Sequence, residues 1–311
     1  MEKILITGGL GNLGSWLTEY IANQGYEVWI LTKNFRKIIT KVKYHLINCD
    51  LADFADIKEK LKGLSFDYVV HAGSVNDSFV TGYFKLAIDV NTLGTRNMLE
   101  YLAPLKVKHF IYLSTFQVYG KYEGDIDEDT PTTPVNDYGS THLFAEYFVK
   151  QFAYTHKLPY SIIRLTNSYG CPKDMNTSKW YLVLNDLAKS AFENKEIILK
   201  SNGKALRDFI WMGDVCKVFH QLLQNTPAND TYNLASETTY TMLDIAHIVK
   251  ETYLEKYKKD IPIKVNEKDI TEYPQHLHVH AQKLKSIVQY HHTVSFKEEA
   301  SKIFDLLGKK K

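Results

Sequence analysis

The chain has 311 residues, and 38 Lys plus Arg nearly balance 36 Asp plus Glu, leaving a formal net charge of +2. A balance this close gives no large positive field, so we expect no nucleic-acid partner. No apolar run approaches the ~18 residues of a membrane span, and the N-terminal segment lacks a signal-peptide pattern. Three widely separated cysteines, Cys49, Cys171 and Cys216, suit free thiols in a reducing compartment. We therefore expect a cytoplasmic protein with no membrane association.

Short apolar runs alternate with amphipathic segments through the first half of the chain. The predicted strands are 3–7, 26–32, 44–47, 67–71, 107–113 and 160–164. The predicted helices are 12–24, 53–61, 83–102 and 139–156. Short strands separated by longer helices indicate βαβ units and a parallel sheet. Strands this apolar fit a sheet that helices cover on both faces.

This alternation ends near residue 170. Helical patterns at 179–194, 213–225, 241–257 and 295–307 are then separated by irregular loops. We predict an α/β fold with a Rossmann-like, doubly wound parallel sheet and a smaller, mostly helical C-terminal substrate lobe. The predicted domains are residues 1–170 and 171–311, with the chain returning to the first near 208–236.

A glycine-rich turn joins the first predicted strand to the first predicted helix. Gly8, Gly11 and Gly14 are spaced GxxGxxG, and Asn12 and Leu13 lie between the last two. Such a turn lets the backbone approach a pyrophosphate, which then rests on the helix N-terminus. A tight strand-to-helix turn without a ligand is the alternative, but the flanking strand and amphipathic helix favour a dinucleotide site.

Further segments follow in a recognisable order along the chain. They are Asp50-Leu51, His71-Ala72-Gly73, NTLGTRN at 91–97, STFQVYG at 114–120, Tyr138-Gly139-Ser140, RLTNSYGCP at 164–172 and RDFI at 207–210. Together with TGGLGNLG at 7–14, they resemble the motifs of the extended short-chain dehydrogenase/reductase family. Most members of that family act on nucleotide-diphosphate sugars, so the resemblance implies an enzyme with such a substrate.

The resemblance implies a role for each matching residue. Tyr138 is the general acid/base, Thr115 hydrogen-bonds the same sugar oxygen, and Ser114 is the alternative to Thr115. The implied substrate contacts are Thr115, Gln117, Asn167 and Arg207, the last two at the diphosphate. The implied cofactor contacts are Gly8, Gly11, Asn12, Leu13, Gly14, Thr32, Lys33, Asp50, Leu51, His71, Ala72, Gly73, Asn91, Tyr138 and His142.

One position departs from the family pattern. The family carries a lysine four residues after the tyrosine, and this chain carries His142 there. A lysine supplies a permanent cation that lowers the tyrosine pKa by ~1–3, whereas a histidine is a cation only when protonated. Three alternatives remain: His142 is a neutral donor to the nicotinamide ribose with slower turnover, it is protonated and works almost normally, or the site binds ligands without turnover.

A second departure concerns the reaction type. Sugar 4,6-dehydratases of the family carry an Asp-Glu pair where this chain has Phe116 and Gln117, which supply no carboxyl group. Dehydration is therefore disfavoured, and oxidation of the sugar C4 hydroxyl is expected. A dehydrogenase, a C4 epimerase or a reductase would all use this site. Within the family, the chain most resembles the C4 dehydrogenases that act on GDP-linked heptoses in bacterial capsule biosynthesis.

The residues and the resemblance disagree about the cofactor. No acidic residue ends the second predicted strand, and Lys33, Arg36 and Lys37 could meet the 2′-phosphate of NADP. A solvated basic loop explains the same residues. The family's epimerases and C4 oxidases mostly hold NAD, so we predict NAD, with NADP as the second choice.

Two further expectations concern metals and assembly. His276, His278 and His280 lack the cysteines or helical spacing typical of a metal site, so we predict no metal. The predicted helices at 83–102 and 139–156 carry more apolar surface than one sheet needs to cover. Because such helices pair across a two-fold axis in the family, the resemblance implies a homodimer.

Overall fold

The computed structural model describes residues 1–76 and 82–309. The strands are β1 (Lys3–Thr7), β2 (Glu27–Thr32), β3 (His45–Asn48), β4 (Tyr68–His71), β5 (His109–Thr115), β6 (Gly124–Ile126), β7 (Tyr160–Leu165), β8 (Asn167–Tyr169), β9 (Ile197–Ile198), β10 (Leu206–Trp211), β11 (Asp230–Leu234), β12 (Thr239–Thr241), β13 (Ile263–Lys264) and β14 (Leu277–Val279). The helices are α1 (Asn12–Asn23), α2 (Phe54–Lys60), α3 (Tyr83–Ala87), α4 (Gly94–Leu102), α5 (Asp137–His156), α6 (Val183–Asn194), α7 (Met212–Asn225), α8 (Met242–Tyr257), α9 (Gln282–Lys285) and α10 (Phe296–Gly308).

The central sheet has seven strands in the order β11-β7-β5-β4-β1-β2-β3, and each neighbouring pair is parallel. The order reverses around β1, which confirms the doubly wound α/β prediction. β11 comes from late in the chain and completes one edge beside β7. The proposed boundary near residue 170 stays a prediction.

Helices cover both faces of the sheet, as the apolar strands predicted. Along β1, Ile4 and Ile6 face one core with α1 and α7, whereas Leu5 faces a second core with α4 and α5. Successive residues of a strand point to opposite faces, so a strand buried on both faces is apolar throughout. A third core joins α6, α8 and α10 in the C-terminal part of the chain.

The predicted helix at 83–102 is interrupted. α3 and α4 are joined by a π-helical segment, Ile88–Leu93, which contains Asn91. A π segment adds a residue to the turn and is frequent at functional sites. Sequence periodicity does not reveal such an insertion, because the apolar face continues through it. In the described part of the chain, no helix has the length and apolar character needed to cross a bilayer.

Candidate functional site

A cavity of about 780 Å³ opens at the carboxyl ends of β1, β2, β4 and β5, the edge at which open parallel sheets bind ligands. Most of the residues predicted for the site line this cavity. They are Gly8, Gly11, Asn12, Leu13, Gly14, Thr32, Lys33, Asp50, Leu51, Ala72, Gly73, Ser114, Thr115, Gln117, Tyr138 and Asn167. Four predicted residues are not part of the lining: His71, Asn91, His142 and Arg207.

The turn between β1 and α1 is shaped to hold an anion. Gly8 has a positive φ of 66°, and the Gly11 N–H donates to the Gly8 carbonyl at 2.8 Å. A Cβ atom at Gly14 would lie 2.1 Å from that carbonyl oxygen, so a larger residue does not fit. A pyrophosphate on the N-terminus of α1 fits this cradle.

Carboxylates neutralise the basic loop that follows β2. Lys33 Nζ lies 2.5 Å from Asp50 Oδ2, and Arg36 forms an ion pair with Asp174. Lys37 is exposed and does not line the cavity. The two cations that line the cavity here are therefore already paired, which removes the residue-level argument for a 2′-phosphate and for NADP.

Thr115 and Tyr138 bring two hydroxyl groups together in the cavity wall. Thr115 ends β5, and its Oγ1 accepts the Gln117 N–H at 3.2 Å. Tyr138 lies in the first turn of α5, where the N-cap residue Asn136 accepts the Gly139 N–H at 2.8 Å. Burial raises the pKa of the Tyr138 hydroxyl, and hydrogen bonding, to Thr115 among others, partly offsets that rise. The phenol is therefore protonated near neutral pH.

Ser114, the predicted alternative to Thr115, points its hydroxyl away from the cavity. Its Oγ donates to Oε1 of Glu146 at 2.6 Å. The same carboxylate pairs with Arg164 at 2.7 Å, and the two charged side chains are only 1% and 5% exposed. Loss of one partner of a buried ion pair destabilises the folded protein, because it leaves the other charge buried and unpaired. Ser114 thus belongs to this structural network, and Thr115 stays the predicted partner of Tyr138.

His142 is a buried, neutral imidazole behind Tyr138. The two rings pack edge to face with 4.5 Å between their centroids, and Nδ1 of His142 lies 2.8 Å from the Tyr112 hydroxyl. Burial lowers the pKa of His142 to about 3, and the nearby His71 adds to this effect. Burial therefore disfavours the alternative in which a protonated His142 replaces the lysine at neutral pH.

His71 and Asn91 support the cavity from behind. His71 Nδ1 lies 2.9 Å from Thr7 Oγ1, and its Nε2 lies 3.0 Å from Thr95 Oγ1. The Asn91 side chain accepts the Val75 N–H at 2.8 Å and donates to the Val75 carbonyl at 3.1 Å. Asn91 therefore fixes the backbone at Val75, which lines the cavity, and His71 links two threonine side chains beside it. His71 and Asn91 do not line the cavity, and the direct cofactor contacts expected of them stay predictions.

The predicted diphosphate residues differ in their positions. Asn167 lines the cavity, and its Nδ2 donates to the Asp208 carbonyl at 3.0 Å. The Arg207 guanidinium stacks on Tyr122 at 4.1 Å from the ring centroid, and Nη1 donates to the Leu206 carbonyl at 2.7 Å. Tyr122, rather than Arg207, lines the cavity. The diphosphate contact of Arg207 therefore stays a prediction that requires its side chain to move past the Tyr122 ring.

Some lining residues were not predicted. Ser74 directly follows the His71-Ala72-Gly73 motif, so its position in the chain could have revealed it. Tyr181 could not be found this way, because its hydroxyl reaches the Asn76 carbonyl, at 2.6 Å, across 105 residues of sequence. The remaining unpredicted residues include Val75, Tyr122, Tyr169 and Phe209.

A surface cluster in the C-terminal part resembles a metal site. Glu237, His278 and His280 place ligand atoms within 4.8 Å of one another. However, the Glu237 oxygens accept from a backbone N–H and from Lys285, and His280 Nε2 lies 3.1 Å from Asp125. Protein partners thus already hold the Glu237 carboxylate and His280, and the geometry gives no separate reason to place a metal there.

Comparisons with known proteins identify the family. A family model described as the NAD dependent epimerase/dehydratase family matches residues 4–235. The chain is 27% identical over 254 residues to the "Putative UDP-glucose 4-epimerase" of Methanocaldococcus jannaschii, covering 79% of this chain and 81% of that one. It is 26% identical over 269 residues to the human dTDP-D-glucose 4,6-dehydratase, covering 81% of this chain and 75% of that one.

The fold is also similar to solved structures. The crystal structure of the Bacillus cereus UDP-glucuronic acid 4-epimerase, in complex with UDP-glucuronic acid and NAD, superposes with a TM-score of 0.82. The two sequences are 21% identical, and the match covers 99% of this chain and 100% of the other. Since the family model spans most of the chain and the predicted motifs converge on one cavity, the chain belongs to the NAD dependent epimerase/dehydratase family.

Proposed function

We propose that this protein oxidises the C4 hydroxyl of a nucleotide-diphosphate sugar, with NAD as the cofactor. The observation that carries the proposal is the meeting of the Thr115 and Tyr138 hydroxyls in the wall of the cavity. The glycine cradle lies at one part of that cavity and Asn167 at another. A shared cavity supports the binding of a dinucleotide and a sugar nucleotide side by side, with the two hydroxyls available to the sugar.

Each group has a role that follows from its position. Thr115 hydrogen-bonds the C4 oxygen of the sugar and orients it, and the ionised form of Tyr138 takes the proton from that oxygen as the carbonyl forms, which leaves the neutral phenol. NAD, when bound, accepts the hydride from C4. Gly8, Gly11 and Gly14 hold the pyrophosphate of the cofactor against α1. Because burial raises the pKa of Tyr138, little of it is ionised at neutral pH, and we expect this proton transfer to be slow there.

The absence of carboxyl groups at the reaction centre argues against dehydration. Among the described lining residues, Asp50 carries the one carboxyl group, and it is paired with Lys33. Phe116 is buried among aromatic rings, and the Gln117 side chain accepts from Asn136 at 2.9 Å. Loss of water from a sugar needs a general acid at that position. The site therefore stops at the C4 ketone.

The ketone has two fates. Release gives a C4 dehydrogenase, which is our first choice, and return of the hydride to the other face of the sugar gives a C4 epimerase. The C4 epimerase is the alternative, and the similarity to 4-epimerases supports it. We propose a GDP-linked heptose as the substrate, and this choice rests on the family resemblance of the sequence. UDP- and dTDP-sugars are the substrates to test beside it.

A second candidate function has its own observation. His142 is a neutral imidazole where the family has a lysine, and the Tyr138 pKa is raised rather than lowered. A protein that binds NAD and a sugar nucleotide without turnover would carry the same residues. Mass spectrometry of nucleotides released from the purified protein, followed by assays of NADH formation with GDP-, UDP- and dTDP-sugars, separates the two. Turnover that Tyr138→Phe abolishes supports the oxidoreductase, and binding without turnover supports the second candidate.

We also propose that the protein forms a homodimer through α5 and its neighbour α4. Phe144, Tyr147 and Tyr154 lie along one side of α5 and are 57%, 56% and 80% exposed. A stripe of aromatic residues at helical spacing, open to solvent, is typical of a surface that another chain covers. We call Phe144, Tyr147 and Tyr154 the α5 aromatic stripe.

A further inference from the structure

The inference starts from a mismatch between the loop after β2 and the cofactor of the family. In dinucleotide-binding folds, an acidic residue near this point binds the 2′-hydroxyl of NAD, whereas an arginine accommodates the 2′-phosphate of NADP. The loop from Thr32 to Lys37 contains no acidic residue, and its Lys33 and Arg36 line the cavity. The chain nevertheless belongs to an NAD dependent family. The loop by itself therefore does not explain a preference for NAD.

Of the two cations in this loop, Arg36 is the better partner for a 2′-phosphate. A guanidinium binds a phosphate through two parallel hydrogen bonds, which a lysine ammonium does not form. The Arg36 side chain is 32% exposed, whereas the Lys33 side chain is 66% exposed, so water and salt screen the charge of Arg36 less. An Arg36 guanidinium without a protein partner would therefore favour NADP.

Asp174 already occupies the Arg36 guanidinium. Nη2 of Arg36 donates to Oδ1 of Asp174 in an ion pair that spans 138 residues of sequence. The Asp174 side chain is 27% exposed and is not part of the cavity lining. Its carboxylate neutralises Arg36 and repels a further anion at the guanidinium. Asp174 thus supplies the negative charge that the end of β2 lacks.

The segment that carries Asp174 is anchored by other contacts. Nε1 of Trp16, on α1, donates to the Cys171 carbonyl at 3.2 Å. Lys173 pairs with Glu19 of α1, and its Nζ lies 4.8 Å from the centroid of the Trp16 ring. An isolated ion pair near the surface holds two side chains together only weakly. These additional contacts place the carboxylate independently of the ion pair that it forms.

We propose that Asp174 makes the site selective for NAD over NADP by holding Arg36 in an ion pair. Asp174 acts through Arg36 and is therefore a positioning residue, whose signature is the ratio of the two cofactor affinities. The inference rests on the proposed function, because it takes NAD binding on the glycine cradle as given. A loop with the residues of an NADP site is in this way converted to an NAD site by a residue from the segment after β8.

The test compares the dissociation constants of NAD and NADP, measured by calorimetric titration of wild type and Asp174→Asn. Asparagine keeps the size of the side chain and removes its charge, which leaves the Arg36 guanidinium available to a 2′-phosphate. We expect NADP to bind at least about tenfold more tightly to Asp174→Asn than to wild type. NAD has no 2′-phosphate, so its affinity should change by less than about threefold. The double variant Arg36→Gln/Asp174→Asn should lose the gain for NADP.

Two control variants separate selectivity from a general change in charge or structure. Glu19→Gln removes the same charge from the neighbouring ion pair, and neither Glu19 nor Lys173 lines the cavity. Asp174→Glu retains the carboxylate. Both variants should keep the wild-type ratio of the NADP and NAD affinities. An equal gain for NADP in Glu19→Gln would refute the role of Asp174, because the effect would then come from the net charge.

A pair of cofactor fragments provides a second measurement that reports on the adenosine end alone. Adenosine 2′,5′-bisphosphate carries the 2′-phosphate and adenosine 5′-monophosphate lacks it, so their affinities should show the same change in Asp174→Asn. Asp174→Ser is a second variant without the charge, and melting temperatures show which variants are folded. An unchanged ratio of NADP to NAD affinity in either folded variant would overturn this inference and leave the proposed function standing. A wild-type protein that binds neither dinucleotide would instead refute the proposed function.

Discussion

Replacing His142 by lysine tests how the missing cation affects the chemistry. The rings of Tyr138 and His142 are 4.5 Å apart, so a lysine ammonium can lie about 5 Å from the phenol oxygen. At that distance and an effective dielectric constant of about 20, the attraction to a tyrosinate is about 3 kcal/mol. This energy would lower the pKa of Tyr138 by about 2. The fraction of ionised tyrosine at neutral pH would then rise by up to about 100-fold.

Desolvation of the lysine and the loss of the Tyr112 contact reduce that gain, so we expect His142→Lys to raise kcat at least about tenfold at neutral pH. The assay is NADH formation with a saturating sugar nucleotide across the pH range. The rising limb of the profile should move toward neutral pH in His142→Lys and stay in place in the uncharged control His142→Gln. If a folded, NAD-binding His142→Lys gave the wild-type profile, or if His142→Gln gained equally, the electrostatic reasoning would be refuted.

The remaining predictions concern stability, the two adjacent hydroxyls and assembly. Burial lowers the pKa of three histidines to between about 3 and about 4, namely those of His71, His109 and His142. As the pH falls, the unfolded chain binds these protons before the folded protein does. The free energy of unfolding therefore keeps its full value above the unfolded pKa of ~6.5. Below that pH it falls by about 1.4 kcal/mol per pH unit for each histidine. Urea midpoints that stay constant from neutral pH to pH ~5 would contradict this. Thr115→Val should lower kcat by about 10- to 100-fold. Ser114→Ala should instead lower the free energy of unfolding by about 1–3 kcal/mol and change kcat little. If Ser114→Ala lowered kcat and Thr115→Val did not, the roles assigned to the two hydroxyls would be exchanged. Tyr147→Glu, in the α5 aromatic stripe, should convert the dimer to a monomer, as measured by light scattering. Lys121→Glu, at another exposed position, should leave the dimer intact.

The sheet could be predicted from sequence because its signal is local. Most central strands are rich in apolar residues and the covering helices are amphipathic, so period and length identify them. The π-helical segment at Ile88–Leu93 could not be predicted, because one extra residue in a turn leaves the apolar pattern intact. β11 joins the sheet through a parallel pairing with β7, which depends on a long connection rather than on neighbouring residues.

The positions of the site residues could be predicted from the sequence better than their charges and hydrogen-bond partners. Motif spacing found Tyr138 and Thr115, but the choice between Thr115 and Ser114 depended on Glu146, which follows Ser114 by 32 residues. The charge of His142 depended on its burial against Tyr112, which no spacing reveals. The basic loop after β2 favoured NADP until its partners Asp50 and Asp174 were known. In each case the deciding contact joins residues far apart in sequence.

The most direct test of C4 oxidation follows the hydrogen itself. A GDP-heptose deuterated at C4, with the corresponding UDP- and dTDP-sugars as comparison substrates, is mixed with the NAD-loaded enzyme in a single turnover. The reduced cofactor and the sugar are then analysed by mass spectrometry. The account predicts that deuterium moves from C4 of one substrate to the cofactor in wild type and that Tyr138→Phe greatly slows this transfer. If NAD and sugar nucleotide both bind but no deuterium reaches the cofactor with any of these substrates, the protein is not a C4 oxidoreductase.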